Sequence, residues 1–199
     1  MDDIIIGKLK KHSLFVETTG KEGEKLVLDE LDLRKINFLN LDLSECVLTD
    51  CNLEGQKVIN IDFYRSELYS SNFKNTTIIS SNFLKARADY TEFKNATISK
   101  ANFSKADLME ADFSASSIEE TSFVFSNLYK ADFSNSALEN IDFDSVFLEE
   151  TIFYQSRLIG LKNLDKALIK SVNIGTAEKP CILMDEEAKK WLKSQVSAC

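Results

Sequence analysis

A large apolar residue recurs at every fifth position from Leu28 to Leu158, a run of 27 successive positions in which only Ala88 is small. Two residues before each of these lies a second column. From Ser66 to Ser136 every member of that column is Ser, Thr or Ala. The residue just before the large one is often Asp or Asn, as at Asp62, Asn72, Asn82, Asn102, Asp107, Asp112, Asp132 and Asp142. Ala101-Asn102-Phe103-Ser104-Lys105 shows the whole unit: small, Asp or Asn, large apolar, then two variable residues.

A period of five fits neither a helix at 3.6 residues per turn nor a flat strand at 2. A chain that buries one large and one small side chain per five residues must turn once per unit, and four turns close a square coil. The 27 units then make about 6.75 coils, stacked over roughly 32 Å at the usual strand spacing. Asp or Asn beside each corner can bond nearby backbone amides. Coils joined by backbone hydrogen bonds form a solenoid. Phe recurs every ten residues from Phe63 to Phe153, with Leu68, Ile78, Ala88, Ile98 and their successors between. Ten residues is half a coil, so Phe is expected on two opposite faces, each ring twenty residues from its like. Only 6 Gly and 1 Pro argue against many conventional turns.

These residues resemble the pentapeptide-repeat family. The resemblance covers roughly residues 26–161 and implies an all-β solenoid, a right-handed quadrilateral β-helix of about seven coils with short caps. It implies fold strongly and function weakly, because one fold serves many roles.

Residues 1–25 lie outside the repeat and read as an N-terminal cap. Ile5, Leu9, His12 and Val16 share one helical face, and Gly20 can end the helix. His12 is expected at the cap interface. Near both ends Leu26, Leu31, Ile36, Leu41, Ile141, Val146 and Leu161 coarsen the small column, as terminal repeats commonly do. The register fails after Leu161, leaving 162–199 as a C-terminal cap. There Ala167–Ile174 reads as extended, and a helix is expected over 185–196. Asp185 can cap it, Glu186 and Glu187 suit its positive end, and Lys190 and Lys193 its negative one. Ala188, Trp191, Leu192 and Val196 form its apolar face. That face closes the coil or, since related topoisomerase-protecting proteins dimerise through their C-terminal ends, makes a homodimer contact through Trp191 and Leu192.

Composition narrows the function. A net charge of −8 disfavours nucleic acid as a direct ligand. One His and 4 Cys leave little for a metal centre, and no cofactor is expected. No stretch approaches 18 apolar residues, so no membrane span is expected. The first residues lack a secretory pattern, and cytoplasmic location with reduced cysteines follows. Cys46 and Cys51 sit in the interior column, while Cys181 and Cys199 lie in the tail. Asn75-Thr76-Thr77 and Asn95-Ala96-Thr97 match glycosylation sequons, but the repeat alone accounts for them. No phosphate-binding, dinucleotide, zinc-protease or serine-hydrolase motif is present. Glu119-Glu120 and Glu149-Glu150 have no evident cleft to make them acid and base, so no enzyme is expected.

What remains is the outer wall. Residues 26–105 carry a net charge of −1, whereas 106–160 carry −9, from 11 acidic and 2 basic residues. Over the roughly 13 Å of axis those coils occupy, duplex DNA carries about 8 charges. Glu110, Glu119, Glu120, Glu139, Asp144, Glu149 and Glu150 are the candidate acidic surface. Outward aromatics cluster on neighbouring coils: Tyr69, Tyr90, Met109, Tyr129 and Phe147 flank the Leu68–Leu148 face, and Phe125 lies on the preceding one. Such residues are enriched in interfaces. The leading expectation is a non-enzymatic scaffold that shows this surface to a protein partner. The alternative is a DNA mimic similar to quinolone-resistance pentapeptide proteins, which protect gyrase. It fits only in part, since residues 26–105 are nearly neutral.

Overall fold

A computed structural model describes residues 2–196 and the side chains of 3–195. Helix α1 (Asp2–Glu17) leads into short strands: β1 (Val27–Asp29), β2 (Val47–Thr49), β3 (Lys57–Ile59), β4 (Thr77–Ile79), β5 (Thr97–Ser99), β6 (Ser117–Glu119), β7 (Ala137–Glu139), β8 (Phe147–Leu148), β9 (Thr151–Ile152), β10 (Arg157–Ile159), β11 (Leu168–Ile169), β12 (Ser171–Asn173) and β13 (Ile182–Met184). Helix α2 (Asp185–Val196) closes the chain. β13 pairs antiparallel with β12, whereas strands β1–β7 and β10 pair in parallel at a separation of twenty residues, as in Val58↔Ile78↔Ile98↔Ile118↔Leu138. This is the repeat of a four-sided coil, and about seven coils form a β-solenoid.

The large column fills the interior. Phe63, Phe83, Phe103 and Phe123 stack in one pile with centroids 5.0, 4.5 and 5.3 Å apart. Phe73, Phe93, Phe113, Phe133 and Phe153 form the opposite pile at 5.3, 4.8, 5.0 and 5.5 Å. The piles interlock edge to face, as Phe93 and Phe103 do at 5.7 Å, the arrangement that ring quadrupoles favour. The small column lies where no bulk fits. Its hydroxyls find backbone partners, Ser66 and Thr76 on the carbonyls of their own turns and Ser71 and Thr91 on the coil before. A buried hydroxyl would otherwise be costly.

Corners are built as the sequence spacing implies in one respect and differently in another. Asn72, Asn82, Asn102 and Asp132 accept from the backbone amide two residues on. Asn82 and Asn102 also donate to the equivalent side chain one coil earlier. The scarcity of Gly and Pro suggests few conventional turns, yet every coil turns at each corner. At every fifth position from Glu30 to Gly160 except Lys35, φ is positive, and only Gly55 and Gly160 among them are glycine. The left-handed conformation disfavours side chains, above all β-branched ones. No Val, Ile or Thr occupies this column. Inter-coil amide bonds such as Asn95 N–H to Ser114 O at 3.0 Å hold it in place.

The ends are closed from within the chain. α1 buries Ile5 and His12 against the first coil. His12 Nδ1 accepts from the Leu26 amide at 3.0 Å, while Nε2 has no partner. Gly20, at φ 80°, donates to Phe15 O and ends the helix. At the far end the stack continues beyond the boundary expected at Leu161. β11 and β12 pair in parallel with β8 and β9, but the offset is twenty-one residues, Phe147↔Leu168 and Thr151↔Val172. One extra residue in the turn after Leu161 accounts for the break in register. α2 then seats Ala188 and Leu192 in the core, and Trp191 lies 6.3 Å from Phe153, extending that pile. Leu192 is fully buried by its own chain, which leaves it no surface for a second copy. Val196's side chain and Cys199 lie outside the described residues.

Candidate interaction surface

With the interior sealed by side chains, chemistry is confined to the walls. The Leu68 face is made by the triplets Glu67–Tyr69, Arg87–Asp89, Asp107–Met109, Asn127–Tyr129 and Phe147–Glu149, one above another. The middle residue of each points inward and the last points out. Tyr69 is 39% exposed and Tyr90, on the adjoining corner, 40%. Their rings meet edge to face at 5.4 Å, and Tyr90 Oη lies 4.0 Å from Met109 Sδ. Met109 and Tyr129 are half-buried, the Tyr129 ring lying under Lys130 Nζ at 5.1 Å. Tyr69, Tyr90, Met109 and Tyr129 thus form one strip across four coils.

The other two aromatics stand apart. Phe125 is 58% exposed on a different corner, beneath Lys105 at 5.8 Å. Phe147 is half-buried, because the C-terminal segment pairs alongside it and Lys170 lies 5.3 Å from its ring. Its partial cover is the chain's own tail.

The candidate acids do not form one wall. Glu110 and Glu150 share a corner with Lys130, whereas Glu149 and Asp144 belong to two neighbouring faces. Glu119 and Glu139 stack in register on the opposite side, beside Glu120. Asp144, Glu149, Glu150 and Glu120 each have a lysine within 4 Å, respectively Lys166, Lys170, Lys130 and Lys100. These exposed pairs contribute little to stability but reduce the field. The salt bridge from Lys166 also holds the Asp144 carboxyl below its usual range. An open groove lined by Glu110, Lys130, Glu150, Asn173, Pro180 and Ile182 adjoins the strip at its C-terminal end.

One residue of this face escaped the sequence reading. Asp89 takes the outward site that Tyr69, Met109 and Tyr129 hold on other coils, yet it is only 6% exposed and its Oδ1 has no hydrogen-bond partner. Burial, with the Asp107 carboxylate beside it, pushes the Asp89 carboxyl up to about 6. The signal in the sequence was Ala88, the single small member of the large column, immediately before it.

Cys46 and Cys51 are free and buried, and burial raises both thiols above the ordinary value, Cys46 the more strongly. Among the described residues no three His, Cys, Asp or Glu are grouped to hold a metal ion, and no helix is long and apolar enough to cross a membrane.

A sequence profile of pentapeptide repeats matches eight copies, over residues 46–83, 81–114 and 106–144. Among solved structures the chain is similar to a pentapeptide repeat protein from the thylakoid lumen of Arabidopsis thaliana, at 26% identity and TM-score 0.34. That match covers 54% of this chain and 65% of the other, so it spans less than two thirds of the plant protein. It is also similar to HetL of the cyanobacterium Nostoc, involved in heterocyst differentiation regulation, at 16% identity, TM-score 0.33, and 81% and 94% coverage. A third likeness is to full-length QnrB1, a plasmid-mediated fluoroquinolone resistance protein, at 12% identity, TM-score 0.33, and 85% and 98% coverage. No curated protein matches significantly.

Proposed function

Because the chain belongs to the pentapeptide-repeat family, we propose that it is a non-enzymatic scaffold whose Leu68 face docks a protein partner. The observation that carries this reading is the strip of Tyr69, Tyr90, Met109 and Tyr129 on four consecutive coils, each partly exposed. Tyr and Met are favoured at interfaces because they combine apolar area with a polar or polarizable atom. A solenoid presents such residues at a fixed spacing at no added ordering cost.

Affinity capture from the source cell tests the reading. Wild-type protein is expected to retain a partner that Tyr69→Ser/Tyr90→Ser loses, with Phe125→Ser and Phe147→Ser mapping the edges. A partner retained equally by all three variants would reject this surface. The DNA-mimic alternative draws on the acidic coils 106–160. Their acids are spread around the tube and partly paired with lysine, unlike the two phosphate rows of a duplex. A gyrase supercoiling assay with and without quinolone separates the two readings. Protection at micromolar protein would favour mimicry, and no effect is expected.

A further inference from the structure

We infer that Asp89 is the anchor for an arginine side chain presented by the docked partner, with Tyr69 and Tyr90 as the aromatic walls that receive it. The inference rests on the scaffold reading above and names the chemistry of the partner. Asp89 is enclosed yet incompletely bonded: Oδ1 is buried and accepts nothing. The Asx side chains that brace corners accept the amide two residues on, as Asn127 does from Tyr129, whereas Asp89 follows the inward residue, and its carboxyl meets that of Asp107 while Oδ1 is left over. Natural proteins keep few such orphaned groups, and those they keep call for a reason.

Its surroundings are dominated by acids. Asp107 stands on the next coil with Oδ1 engaged by Asn127 Nδ2 at 2.8 Å. Glu110 bears on Tyr90 from the same side. Arg87 bears on Asp89, but among the described residues no salt bridge joins it to either carboxylate. Two carboxylates beside two aromatic rings suit a guanidinium better than an ammonium. The planar fork can address two oxygens while its face lies against a ring. Met109 Sδ, 4.0 Å from Tyr90 Oη, adds a soft, adaptable group beside the rings.

The experiment titrates the whole protein with the blocked tripeptide acetyl-Gly-Arg-Gly-amide, using the Lys and Gln analogues as controls, and follows the Tyr ring and Asp carboxyl NMR signals. At pH 8 the Arg peptide is expected to shift Tyr69, Tyr90 and Asp89 saturably, about tenfold more tightly than the Gln peptide, as a charge-assisted pair would. Asp89→Asn should remove that advantage while raising the urea midpoint at pH 8. A merely structural aspartate would lower that midpoint. Affinity should also fall at pH 5, where Asp89 is protonated. Equal binding of Arg and Gln peptides, or unchanged Arg binding by Asp89→Asn, overturns the anchor. If Asp89→Asn retains the cellular partner that Tyr69→Ser/Tyr90→Ser loses, the anchor falls and the scaffold stands. If neither variant changes capture, the scaffold surface falls as well.

Discussion

Replacing Phe103 by Ala probes the interior at its densest point. Phe103 is fully buried, stacked on Phe83 at 4.5 Å and Phe123 at 5.3 Å, and meets Phe93 and Phe113 edge-on at 5.7 and 6.0 Å. Buried Phe→Ala changes cost about 3–5 kcal/mol, and this site lies at the upper end because coils pinned by twenty-residue hydrogen bonding collapse little into a void. Phe143 is the control. It is equally buried but has a single ring neighbour, Phe123, tilted by 59° at 6.0 Å. Phe103 has three more ring partners than Phe143, and with each well-formed pair adding at least about 0.5 kcal/mol, Phe103→Ala should cost at least about 1.5 kcal/mol more than Phe143→Ala. Phe103→Leu, which keeps most of the volume, should cost less than either. Urea unfolding followed by circular dichroism measures all three, with the slope checked for loss of cooperativity between the two halves of the stack. A cost for Phe103→Ala below about 1.5 kcal/mol, or no larger than that of Phe143→Ala, would refute the interlocked piles.

Other expectations follow from the walls and corners. Asn95→Val, at a corner with φ 57°, should destabilise by about 1–2 kcal/mol, while Asn95→Gly should be neutral or better; thermal melts distinguish them. Glu139→Lys should stabilise by a few tenths to about 1 kcal/mol by ending the like-charge pairing with Glu119, and the gain should shrink in high salt. Asp89 has a definite sign. Its carboxyl, raised to about 6, holds a proton in the folded state that the unfolded chain has already released, so stability falls as pH rises from the ordinary carboxylate value through 6. Asp89→Asn should therefore gain about 1–2 kcal/mol at pH 8 and almost nothing at pH 4, as read from paired urea titrations.

The interior was legible because burial there depends on spacing alone. Five-residue recurrence of Phe and Leu forces a corner per unit, and the Phe alternation places the two piles. The terminal helix was legible for the same reason, since Ala188, Trp191 and Leu192 must face one way. The corners were not. A left-handed backbone at Lys85 or Phe125 leaves no mark in residue type except the missing Val, Ile and Thr. The continuation past Leu161 was hidden by one added residue, which shifts pairing from twenty to twenty-one without ending it. On the surface, the spacing set which aromatics lie outward but could not tell open Phe125 from Phe147, which shares its site with the tail. Asp89 was missed because an acid beside a corner usually braces it or faces water, and only the packing around Ala88 shows this one enclosed.

Hydroxyl-radical footprinting of the captured complex tests the working face most directly. Tyr69, Tyr90, Met109 and Tyr129 are predicted to lose reactivity together, a footprint recurring every twenty residues or so, while Tyr154 and the exposed Met184 keep theirs. Protection of Tyr154 or Met184 with the strip left reactive would contradict the account.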